Sequence, residues 1–152
     1  MSLLEIAALV AGLLLLMSLV AVATMAWIRR RSRALQHQLL AECRDRDEKI
    51  IIGPQPGLYR GADQTFGRTK GNGVLCLTEQ RLLFARLTGP RIVIPREALD
   101  SARLEPIFLR QTVVGKGVDQ HLVIHTRDGN RIGFLIRRPE RWVEAVKRVM
   151  MK

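Results

Sequence analysis

The sequence predicts an α+β, mainly β protein. One N-terminal transmembrane helix precedes seven antiparallel strands, which form a partly open barrel capped by a C-terminal helix. Three observations carry this expectation. Residues 6–28, IAALVAGLLLLMSLVAVATMAWI, contain no charged side chain. Residues 58–137 fall into short apolar runs divided by Gly, Pro and Asp. The end of the chain, PERWVEAVKRVMMK, repeats its apolar residues at helical spacing. Three pieces follow: a span over 3–28, a juxtamembrane helix with a Gly/Pro linker over 29–56, and a β-domain over 57–152.

As a helix, residues 6–28 reach about 34 Å, enough for a hydrocarbon core of roughly 30 Å. A core helix of a globular protein would carry a polar face, and none is visible; Ser18 and Thr24 can return their hydroxyls to the helix backbone. A secretory signal starts basic and holds an apolar run of about 7–15 residues. Here MSLLE precedes a longer run. Ala21-Val22-Ala23 imitates a cleavage site, so cleavage stands as the lesser alternative to an uncleaved anchor. Arg29, Arg30, Arg31 and Arg33 follow the span, whereas only Glu5 precedes it. That asymmetry expects the N-terminus outside and the following domain in the cytoplasm of a single-pass protein of the cell membrane. Trp27 stands where an interfacial aromatic anchors a helix end.

Residues 29–49, RRRSRALQHQLLAECRDRDEK, read as a continuing polar helix with Leu35, Leu39 and Cys43 one turn apart. The stripe is short, and pairing of two copies is one use for it. GPQPG at 53–57 stops any helix and reads as a linker. Strands are expected at 58–61, 73–78, 81–87, 91–95, 101–108, 121–126 and 131–137. Thr88-Gly89-Pro90 and Asp128-Gly129 mark turns, and Glu79-Gln80 makes the tight break of a hairpin. Leu75 and Leu77 are expected to face one core with Leu83, Ala85 and Leu87 across that turn. Arg81 either holds the hairpin by bonding to carbonyls or stands as an exposed cation; the structural role is preferred. In the last strand Ile132, Phe134 and Ile136 share one face, and Arg131, Gly133 and Arg137 take a wet one. Trp142, Ala145, Val146, Val149 and Met150 form the buried stripe of the closing helix. Pro139 and Glu140 at its start, and Lys147, Arg148 and Lys152 near its end, suit the helix dipole.

The stretch GNGVLCLTEQRLLF followed by RIVIPREAL resembles the pattern of GRAM-type and bacterial PH-like domains of the pleckstrin-homology superfold. The residues that carry the likeness are Gly73, Leu75, Leu77, Thr78, Arg81, Leu82, Phe84, Ile94 and Pro95, with Trp142 on the closing helix. The resemblance implies a binding or scaffolding module for lipid headgroups or protein segments. In phosphoinositide-binding members the first hairpin loop grips phosphate; here that loop, GADQTFGRTKGNG, carries Arg68 and Lys70. The following VLCLT has no basic residue. Nonspecific attraction to anionic lipid is therefore the carry-over, rather than specific phosphoinositide recognition.

Charge points the same way. The chain carries +11, and residues 57–152 alone hold 18 basic and 9 acidic side chains. Anionic surfaces attract such a domain, so Arg29, Arg30, Arg31, Arg33, Arg68 and Lys70 are the candidate anionic-lipid contacts. The alternatives are a protein-peptide module that uses a sheet edge or groove and, last, nucleic-acid binding. For the latter, Phe66 and Tyr59 are the only aromatics near the basic loop.

Catalytic, metal and cofactor sites are not expected. GRTKGNG fits neither G-x-x-x-x-G-K-[ST] nor G-x-G-x-x-G. His121 and His125 stand about 13 Å apart on a strand, too far to share an ion, and each is expected half-exposed. Cys43 and Cys76 lack ligand spacing, and a reducing compartment disfavours a disulfide between them.

Overall fold

A computed structural model describes residues 2–112 and 120–151 of the chain. Lys152 lies outside them. The first element, α1 (Leu3–Asp45), is one unbroken helix of 43 residues. Ser2 Oγ accepts from the Glu5 amide at 3.3 Å, and the Ser2 amide donates to Glu5 Oε2 at 2.8 Å. This reciprocal cap satisfies two donors that the helix start leaves orphaned. Ser18 and Thr24 donate to the carbonyls of Leu14 and Val20, each at 2.8 Å, as the sequence led one to expect. From Leu3 to Trp27 every side chain is exposed, and the helix is long and apolar enough to cross a membrane.

Past Trp27 the same helix acquires a buried stripe: Ile28 is half-buried, and Ser32, Leu35, Leu39 and Cys43 are buried. The strands are β1 (Ile50–Ala62), β2 (Gly71–Thr78), β3 (Arg81–Arg86), β4 (Ile92–Pro95), β5 (Leu99–Glu105), β6 (Ile107–Phe108), β7 (Gln111–Thr112), β8 (His121–Thr126) and β9 (Arg131–Ile136). Seven of them form an antiparallel sheet in the order β4-β3-β2-β1-β9-β8-β5, while β6 and β7 pair separately. Edges β4 and β5 do not join, so the barrel stays open. The C-terminal helix α2 (Pro139–Met150) presses Trp142, Ala145, Val146 and Val149 into the inner core, as the helical spacing predicts. This is the element order that the resemblance to the pleckstrin-homology superfold implies.

Four expectations need correction. The first strand begins at Ile50, so GPQPG is strand and not linker: Ile52 pairs with Leu77 and Gln55 with Leu75, with a register shift between them. Such a bulge removes the ladder positions that Pro54 cannot fill. Gly53, at φ 93°, lets the backbone pass close to Leu75 and Trp142. Residues 101–108 are two strands, broken at Pro106.

The hairpin faces also differ from expectation. Opposed residues of an antiparallel pair share a face, and the register joins Leu75 to Phe84 and Leu77 to Leu82. Those four line the inner core. Leu83, Ala85 and Leu87 point outward with Val74 and Cys76, and α1 covers them with Leu35, Leu39 and Cys43. The Leu35 stripe is thus spent within the chain instead of joining two copies. A fully buried leucine stabilises by about 1.5–3 kcal/mol, so Leu35 and Leu39 hold the helix firmly to the sheet.

The last correction concerns the second half of the sheet. Phe108 lies against Gly133, which is buried and not wet. The same ring packs near His121, which is fully buried, with Nδ1 3.3 Å from the Glu105 carbonyl. His125 is half-buried, its Nε2 3.5 Å from Glu105 Oε1.

Candidate functional site

Loop 63–70 joins β1 to β2, and its base is wired to the fold. Tyr59 is fully buried, and its hydroxyl donates to the Gly67 carbonyl at 2.6 Å. Burial pushes the Tyr59 phenol above its ordinary range, which keeps that proton in place. Arg86 lies over the Tyr59 ring at 4.5 Å and donates to the Phe66 carbonyl at 3.0 Å. On the other flank, Asn130 Oδ1 accepts from the Gln64 amide at 3.0 Å, and Arg131 pairs with Asp63 at 2.6 Å. The tip is left outside: Phe66 and Gly67 both take positive φ, and Phe66, Arg68 and Lys70 are exposed. An apolar ring thus stands beside two cations on a braced loop. Because Tyr59 is buried, only Phe66 remains of the two aromatics that could have stacked on a nucleobase.

The four arginines after the apolar segment, Arg29, Arg30, Arg31 and Arg33, are exposed on α1, and the docked stripe passes between them at Ser32. Neither they nor Arg68 and Lys70 form an ion pair among the described residues. Their relation to the loop follows from register. Ile50, just beyond α1, pairs with Thr78 at the far end of β2, while Gly71 at its near end adjoins the loop. Receding along α1 from Cys43 to Ile28 covers about 22 Å. The outward strip of β2 and β3, from Thr78 back to Asn72 and Leu87, covers about 20 Å. Stripe lies on strip, so α1 leaves the sheet at the end that bears the loop. The six candidate cations and Phe66 therefore share one end of the domain with the C-terminal end of the apolar segment.

Ion pairs fix that direction at the opposite end. Arg81 reaches both Glu48 (2.9 Å) and Glu42 (3.0 Å), and Arg91 also pairs with Glu42. Arg81 thereby serves structure as expected, though through carboxylates on the helix and its exit turn and not through hairpin carbonyls. The Arg91 bond, helped by Arg81, holds the Glu42 carboxyl below its ordinary 4.5 against the cost of desolvation. Nothing in the sequence pairs Glu42 or Glu48 with Arg81, since the partners lie more than thirty residues apart.

No protein family and no curated protein matches this chain. Among solved structures, it is similar to the C-terminal domain of an unknown protein from Leishmania infantum (TM-score 0.49, 13% identity, 76% of this chain and 97% of that one). It is also similar to Vav1 bound to an allosteric inhibitor (0.47, 12% identity), of which it spans 26% while 66% of this chain is covered. A third likeness is to a chain from the complex of human RhoA with the DH/PH fragment of PDZRHOGEF (0.43, 16% identity, 79% of this chain and 35% of that one).

Proposed function

We propose that this chain is a single-pass membrane protein whose PH-like domain, of the GRAM or bacterial type, docks on anionic lipid at the cytosolic face without catalysing a reaction. The observation that carries this reading is the position of Ile28. The last residue of the apolar segment is also the first of the stripe that docks the helix on the sheet, with no break in between. A domain held this way has its loop-bearing end at headgroup level. Phe66 can then enter the boundary region while Arg68, Lys70 and Arg29–Arg33 meet phosphate, each cation adding about 1 kcal/mol at moderate salt. The arginine flank supports retention on the cytosolic side.

The test uses the full chain in nanodiscs. Phe66→Trp in a Trp27→Phe background adds an indole at the loop tip, and brominated lipid should quench it in discs containing phosphatidylserine. The Arg68→Ala, Lys70→Ala form should lose much of that quenching. An unquenched indole in every disc would overturn the reading.

A further inference from the structure

The last pair between β1 and β9 joins Gly57 to Ile136. Upstream of it, Ile50–Pro56 have β2 on one side and, among the described residues, no strand on the other. Helix α2 stands in that place but leaves a gap. A groove runs between strand and helix, from a cleft of about 570 Å³ beside Gly53–Gln55 to Lys49 and Val149. Gln55 spans one end, accepting from Trp142 Nε1 at 3.3 Å and donating to the Arg137 carbonyl at 3.0 Å. The half-buried Ile51 and Ile52 supply apolar surface, and the fully buried Trp142 floors the cleft beside them.

Its rim is strongly basic. Lys49, Arg137, Arg138, Arg141 and Arg148 border the groove against a single carboxylate, Glu144. All five cations are exposed, and none forms an ion pair among the described residues. They come from the segment just before β1, the bend after β9 and helix α2, so they converge only in the fold. We propose that this groove receives an extended acidic segment of a protein partner, laid along the free side of β1. Carboxylates on such a segment meet the arginines, and alternate apolar side chains rest on Ile51 and Ile52, the arrangement of strand-adding recognition. The bilayer is the wrong occupant for this groove. From Gln55 to Ala62, where the loop-bearing end begins, β1 runs roughly 20 Å.

The proposal goes beyond lipid docking, and the two fail separately. A fluorescein-labelled peptide alternating Glu and Val is titrated into the full chain in phosphatidylcholine nanodiscs and followed by anisotropy. Binding should saturate, weaken at least about tenfold in Arg138→Glu with Arg141→Glu, and stay unchanged in Arg68→Ala with Lys70→Ala. A peptide alternating Lys and Val should not bind. Absence of saturable binding, equal binding of the Lys peptide, or indifference to the Arg138 and Arg141 changes overturns the proposal. If those changes weaken only adhesion to phosphatidylserine discs, the groove is a lipid site and the proposal falls.

Discussion

Arg81 Nη2 lies 2.9 Å from Glu48 Oε1, and the Glu48 side chain is only 2% exposed. Thr78 Oγ1 also donates to Glu48 at 3.0 Å, so turn, hairpin and helix end meet at one carboxylate. Removing one partner from a buried pair leaves the other charge uncompensated.

Arg81→Met should therefore cost the full chain about 3–5 kcal/mol. Adding Glu48→Leu removes the stranded charge and should recover most of that loss. Urea unfolding of the two variants in the same detergent checks this. Equal stability of single mutant and parent would show that the pair does not hold the helix end.

Stability should fall with pH in a window set by His121. Burial pushes its imidazole below the ordinary 6.5. The folded state then favours the neutral ring, so its contribution is fully present above about 6.5. It is lost as the pH drops through the lowered folded value. His121→Phe should flatten the decline in melting temperature just below pH 6.5; an unchanged slope would assign that decline to other groups.

The two thiols should be silent while α1 is docked. Cys43 and Cys76 are buried in the cluster between helix and sheet. Burial pushes Cys76 up from 9.0 to about 12, which leaves about a thousandfold less thiolate at pH 8. Iodoacetamide should label neither residue in the native chain and both in Arg81→Met under mild urea. Rapid native labelling would mean that the helix is not packed there.

Much of this architecture was legible, and what was missed has physical causes. The closing helix announced itself through the spacing of Trp142, Ala145, Val146 and Val149. The hairpin did so through Glu79-Gln80, where Thr78 Oγ1 accepts from the Gln80 and Arg81 amides. The outer layer was misassigned although a signal was present. GVLCLT and LLFA are apolar at consecutive positions, the mark of strands covered on both faces. Read together with Leu35, Leu39 and Cys43, that pattern asks for the helix as its second cover. GPQPG was misread because proline and glycine weigh against a strand unless a bulge is known. Arg68 and Lys70 were visible as a pair in one loop, but the groove was not. Its cations come from Lys49 and from Arg137 onward, and only the fold brings these together.

No proline, and no glycine after Gly12, interrupts the helix between its apolar start and its docked end. The domain is accordingly splinted to its shaft and has no swivel of its own. If the apolar segment spans a bilayer as proposed, a tilt of about 20°, near the average for spanning helices, would swing a point roughly 30 Å along by about 10 Å. That tilt would thus steer where the far rim of the protein reaches.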